Sequence, residues 1–195
     1  MKLYEDAPRF LRMGKRKYEI TASFDTVLFI FDVLDRTDML YRDRVILCAR
    51  MMFKRPPFRL ADKEKALEEA LKLLSGDGAK EDTPPVMDFE QDAAMIRAAF
   101  LQQYGIDLDA QRGRMSWFRF VDLLGGLTDR TRFIQIVQIR SKPMPAPTQH
   151  NGEERRALAE AKAQFAIKET PDRAKRRLAR QMQALADGMK AGDSR

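Results

Sequence analysis

Histidine, cysteine and neighbouring carboxylates are the residue types from which hydrolytic, redox and metal chemistry is most often built, and this chain holds one histidine and one cysteine. His150 sits beside Asn151 in a polar, proline-flanked stretch, so neither a histidine-based dyad nor a multi-histidine metal site can be assembled within one chain. Cys48 ends the apolar run Val45-Ile-Leu-Cys and has no cysteine to pair with, which suits a reducing cytosol and reads as a buried spectator thiol. Asp107 and Asp109 stand two apart, but within Tyr104-Gly-Ile-Asp-Leu they read as turn-shaping residues after a helix. No phosphate-binding glycine loop, dinucleotide glycine pattern or His-Glu-x-x-His sequence occurs, and Gly76-Asp-Gly78 reads as a turn. The expectation is a protein that is not an enzyme and needs no cofactor or metal.

Surfaces are the alternative to chemistry. Trp117, Phe118 and Phe120 lie among Arg112, Arg114 and Arg119, a mixture that could stack bases and meet phosphates. Trp117 and Phe120 share a helical face with Leu124, however, so core packing is the better account. Near the C-terminus, Arg173, Arg176, Arg177 and Arg180 fall on one side of a helical projection, and Leu178, Met182, Leu185 and Met189 form the opposite stripe. Such a basic amphipathic helix either packs its stripe on its own domain or a second copy, or takes a partner, for which adaptable methionines are suited. Its arginines and stripe are the candidate partner-binding residues.

With 36 Lys and Arg against 29 Asp and Glu, the net charge is +7, compatible with nucleic acid, acidic membranes or acidic proteins. Five of the cations fall between Pro8 and Lys17, where no acid occurs. A chain of 195 residues can bury about 70% of its surface, enough for one domain and an extension without disulfides. The acidic start Met1-Lys-Leu-Tyr-Glu-Asp does not resemble a secretory signal. The greasiest run, Val27 to Phe31, is bracketed by Asp25 and Asp32 and is too short to span a membrane.

These residues need elements to position them. Phe24, Val27, Leu28, Phe31 and Leu34 recur at helical spacing, with a short strand expected before them at Tyr18 to Thr21. A second helix is expected from after Thr37 to about Lys54, with Leu40, Leu47 and Met51 inward and Pro56-Pro57 ending it. A third begins at Asp62 and packs Leu67, Leu71 and Leu74, with Gly76 as its terminator. Residues 75–87, rich in Gly, Pro and charge, read as an exposed internal linker.

Asp88 with Gln91 forms a capping-box pattern, followed by Phe89, Ala93, Ile96, Phe100 and Tyr104 on one face and Gly105 as the stop. Ser116 caps a helix whose Trp117, Phe120, Leu123 and Leu124 face inward until Gly125-Gly126. The β-branched run from Thr131 to Ile139 is also expected to be helical, since an isolated strand would lack partners. Pro143, Pro145 and Pro147 mark a hinge over 143–151; Asn151 with Glu154 opens an alanine-rich helix carrying Leu158 and Phe165. Thr170-Pro-Asp172 opens the last helix, with Gly188 as its stop. The fold class is therefore all-α: a compact multi-helix domain over 1–142, one short N-terminal strand, and a basic helical extension over 152–195.

The order of features from Asp88-Phe-Glu-Gln-Asp-Ala through Phe100-Leu-Gln-Gln-Tyr104-Gly105-Ile-Asp107-Leu108, Trp117-Phe-Arg-Phe120, Leu123-Leu-Gly-Gly-Leu127 and Ile139-Arg140 resembles the bacteriophage gene-product-fifteen family. Tyr18-Glu-Ile-Thr-Ala-Ser-Phe24 resembles the family's opening segment more loosely, and nothing beyond about Met144 adds to the likeness. The resemblance implies a tail assembly chaperone, encoded near the tape measure gene, that binds the tape measure protein non-covalently in the host cytoplasm and is absent from the mature virion. It further implies contact with the tail tube protein or other tail chaperone products, and leaves a homo-oligomer open. The alternatives are a basic nucleic-acid-binding or packaging accessory and a permanent structural subunit of the tail.

Overall fold

The computed structural model describes residues 8–75 and 85–168. The first element is a hairpin: β1 (Phe10–Met13) and β2 (Arg16–Glu19) run antiparallel, with Phe10 opposite Glu19 and Met13 opposite Arg16. Its two-residue link begins with Gly14 at φ 56°, a conformation that an L side chain disfavours and a tight hairpin requires. The strand expected at Tyr18 to Thr21 therefore starts two residues earlier and has a partner. That partner gave little periodic signal, since only Leu11 of its four residues is fully buried.

Three helices follow: α1 (Phe24–Asp35), α2 (Tyr41–Met52) and α3 (Leu60–Ser75), with α2 packed against both α1 and α3. On α1 the deepest side chains are Val27, Ile30 and Val33, whereas Leu28, Phe31 and Leu34 are only half-buried against the core. The expected inward face of α2 is corrected more strongly. Leu40 is 75% exposed and Met51 is also exposed, and Val45, Cys48, Ala49 and Met52 face the core instead. Nor does α2 run to the prolines. Phe53 turns extended to bridge Ile20, and the Lys54 amide donates to the Glu19 carbonyl at 3.1 Å, so pairing with the hairpin ends the helix early. On α3, Ala66, Leu67, Ala70 and Leu74 are buried.

Cys48 is fully buried, with Sγ 3.9 Å from the Ile30 carbonyl, and burial pushes its thiol from an ordinary 9.0 up to about 11. A raised pKa means less thiolate at any pH below it. At pH 8 the native chain is expected to react with a thiol reagent about a hundredfold more slowly than the unfolded chain, from thiolate depletion alone. Equal labelling rates with and without denaturant would refute this.

The second half contains α4 (Ala93–Tyr104), α5 (Trp117–Gly125), α6 (Arg132–Ser141) and α7 (Gly152–Gln164). Gly105 closes α4 at φ 64°, its amide returning to the Leu101 carbonyl. Ser116 caps α5 as expected, accepting from the Arg119 amide at 3.3 Å, and Thr131 caps α6 by accepting from Ile134 at 3.5 Å, a cap the sequence reading did not name. The stretch from Thr131 to Ile139 is helical, with Phe133 and Ile136 buried. Asn151 does stand at the N-cap of α7, but its side chain bonds Thr148 and Ala146 rather than the helix. Among the described residues the hairpin and α1 through α6 contribute to one apolar core, and α7 packs on α6 outside it. Among the described residues no helix is long and apolar enough to cross a membrane.

The halves are joined where α1 and α5 begin. The Phe24 amide donates to Met115, the Trp117 amide donates to Ala22, and Ser23 bridges Ser116. This juxtaposition stacks Phe24 on Phe120 at 5.0 Å; Phe100 stacks on Phe120 from α4 at 5.3 Å. Aromatic rings at these separations add to the burial term.

Candidate partner-binding groove

The residues that carried the resemblance have structural work. Phe120 is the hub of the aromatic cluster, and Trp117 packs beside it at 5.7 Å while its indole Nε1 donates to the Leu74 carbonyl at 3.0 Å. That bond ties α5 to the end of α3. Tyr104 sends its hydroxyl to the Leu123 carbonyl at 2.9 Å, locking α4 to α5, and its Oη would lie 3.0 Å from a Cβ placed on Gly126. Asp107 shapes its turn as expected, accepting from the Asp109 amide at 2.9 Å.

Asp88 and Arg140 belong to one network whose centre is a residue the sequence did not single out. Asp88 Oδ1 accepts from the Glu90 and Gln91 amides, at 3.0 and 2.7 Å, but in a turn ahead of α4, whose N-cap is Asp92 and not the expected Asp88. The other half of the expected box is not made by Gln91. Asp92 Oδ2 accepts the Asp88 amide at 2.9 Å, one residue later in the turn. Gln91 instead exchanges two hydrogen bonds with the backbone of Lys168, at 2.7 and 2.9 Å. Asp92, 1% exposed, is gripped by Arg140 through Nη1 at 2.6 Å and Nη2 at 2.9 Å. Arg140 spends its remaining donors on the carbonyls of Val86 at 3.2 Å and Phe165 at 2.6 Å. One guanidinium thus holds α4, α6 and the end of α7 together. The signal for Asp92 was available, as an acid just ahead of α4 within the resembling stretch, but a partner 48 residues away was not.

An open groove of about 450 Å³ lies beside this core. Its floor is Phe24, Ile96, Leu108 and Phe120, all buried; its walls include Phe29 and Met51, exposed to 42% and 39%. Leu28, Phe89 from the turn before α4, and Ala93 at its start complete the apolar lining. The rim carries Asp25, Arg97, Asp109 and Arg112. Asp109 and Arg112 pair with each other at 2.6 Å on the surface, and Asp25 accepts the Gly113 amide at 2.9 Å. The arrangement can take an apolar side-chain row and orient it with a charged edge; it contains no converging nucleophile, acid and base. Among the described residues no group of acids, histidine and cysteine could hold a metal ion, and His150 is exposed.

The candidate partner-binding residues of the expected last helix, Arg173, Arg176, Arg177, Arg180, Leu178, Met182, Leu185 and Met189, lie outside the described residues, as do Gly76 and most of the expected linker. The apolar run of α6 offers little free surface, since Phe133 and Ile136 are buried and Ile134, Val137 and Ile139 half-buried. The groove was not anticipated. Its trace in the sequence is Val27-Leu-Phe-Ile-Phe31, a run with more apolar surface than one inward face can use.

Comparison with curated proteins and with solved structures found no match. A family model described as Bacteriophage Gp15 protein matches residues 5–167, extending through α7 and past the stretch from which the resemblance was read. With most of the described fold inside that match, this chain belongs to the bacteriophage gene-product-15 family.

Proposed function

We propose that this phage protein is a tail assembly chaperone that binds apolar helical segments of the tape measure protein non-covalently, without enzymatic activity. The observation that carries the proposal is the groove, where a solvent-open apolar lining with Phe29 and Met51 on its walls sits beside a rigid aromatic floor. An amphipathic helix presents side chains at i, i+3, i+4 and i+7, and a groove of this kind accepts such a row. Many weak contacts along a long client would add through avidity, and displacement by tail tube subunits would release the chaperone in the host cytoplasm before the virion is complete. The apolar stripe at Leu178, Met182, Leu185 and Met189 is a second contact in this reading.

The test is co-expression with the tape measure protein from the same operon, followed by light-scattering chromatography of the soluble fraction. A soluble complex that forms only with this chain is expected. Phe29→Glu with Met51→Glu, at positions exposed enough to spare the fold, is expected to weaken the complex by about thirtyfold or more, the scale of a central anchor lost. Failure to co-elute with the fold intact would overturn the proposal and favour a structural tail subunit, checked by looking for the chain in purified virions.

A further inference from the structure

We infer that the hairpin and the segment between α2 and α3 form a second surface, distinct from the groove, that binds single-stranded nucleic acid. Strand alternation turns Leu11 and Tyr18 toward the core and leaves Phe10, Arg12, Lys17 and Glu19 outward. Arg12 and Lys17 are direct cross-strand partners. Like charges in that relation oppose pairing, and of the two only Lys17 has a contact within the hairpin, over the Phe10 ring. Among the described residues none of Arg9, Arg12, Lys15, Arg16 and Lys17 forms an ion pair, while Glu19, the one acid of the hairpin, is taken by Lys54 at 3.1 Å. Among the described residues the face therefore presents uncompensated positive charge.

Exposed aromatic rings accompany the charge. Phe10 is 44% exposed, with Lys17 Nζ 3.7 Å from its ring centroid. The Ile20 to Phe53 bridge and the Lys54 to Glu19 backbone bond fix the start of the α2 to α3 connection at the base of the hairpin. That connection carries Arg55, buried Pro57, Phe58 and Arg59, and Phe58 is 95% exposed. A phenyl ring 95% exposed, in a short connection that also carries the exposed Arg55 and Arg59, matches what an unpaired base needs: an open face for stacking and fork-shaped donors for phosphate. An acidic polypeptide would use the cations but not the bare ring, and duplex DNA keeps its base faces stacked within the helix. This inference does not depend on the chaperone reading.

Fluorescence anisotropy of the full chain with labelled oligothymidylate, over a salt series, tests it. Arg12→Ser with Lys17→Ser removes a repulsive pair and so leaves the fold standing. It is expected to weaken binding and to reduce the slope of log affinity against log salt by about 1.4, at about 0.7 per phosphate contact. Phe58→Ser is expected to weaken binding by about fivefold or more with the salt slope unchanged, the signature of lost stacking. Wild-type affinity in both variants, or no binding at low salt, would overturn the inference. So would polyglutamate competing as well as unlabelled oligonucleotide, which would assign the surface to an acidic protein, or duplex DNA binding as tightly as the single strand.

Discussion

Replacing Arg140 with methionine is expected to cost about 3 to 5 kcal/mol of stability, the range for breaking a buried ion pair from one side. The side chain is 10% exposed and its partner Asp92 is 1% exposed, so solvent does little to screen the pair. Removing the guanidinium strands the Asp92 carboxylate with the Asp88 amide as its remaining hydrogen-bond donor and leaves the carbonyls of Val86 and Phe165 without this donor. Lysine should not rescue, because a point charge cannot reproduce the two-pronged grip or reach both carbonyls. Arg140→Met combined with Asp92→Leu should recover a large part of the loss, since paired apolar replacements avoid the orphaned charge. Urea unfolding of the three variants decides the matter; a single-variant loss below about 1 kcal/mol would mean that water already serves the site.

Phe120→Ala is expected to cost a similar amount, about 3 to 5 kcal/mol, or roughly 6 to 20 °C in Tm for a chain of this size. The ring is 1% exposed and meets Phe24, Phe100, Trp117 and Phe89, which come from α1, α4, α5 and the turn before α4. None of these neighbours can move in without losing a contact of its own, so the cavity should persist. Phe120 also forms part of the groove floor, so client binding should fall as well. Phe29→Ala separates the two effects. Its ring is 42% exposed, and truncation should leave Tm nearly unchanged while weakening the complex. A Phe120→Ala protein with wild-type Tm would show that the cluster is not the centre of the core.

Local signals survived translation into structure best. Ser116 caps α5, Gly105 stops α4, and Trp117, Phe120 and Leu124 face inward, because each outcome is decided within a few residues. What failed was decided at a distance. The end of α2 is set by pairing of Phe53 with Ile20, and β1 exists because β2 does. Leu40 and Met51 have the right chemistry for a core face, but α1 and α3 flank α2 along the line of Val45, Cys48 and Met52. Likewise the groove needed α1, α4 and the loop at Leu108 to be placed in space before it could be seen.

The reach of Arg140 also dictates a timetable. Asp92 and Val86 precede it in the chain, whereas Phe165 follows it by 25 residues. A ribosome releases these groups in order, so the guanidinium meets its carboxylate well before its last carbonyl has emerged. Until Phe165 clears the exit tunnel, the Nε proton of Arg140 lacks the carbonyl that receives it in the finished fold, and the side of α6 that α7 covers stands open. Synthesis of the seventh helix is then the event that shuts it, and premature termination in the segment around Pro145 would release a protein complete in its aromatic core yet missing its final latch.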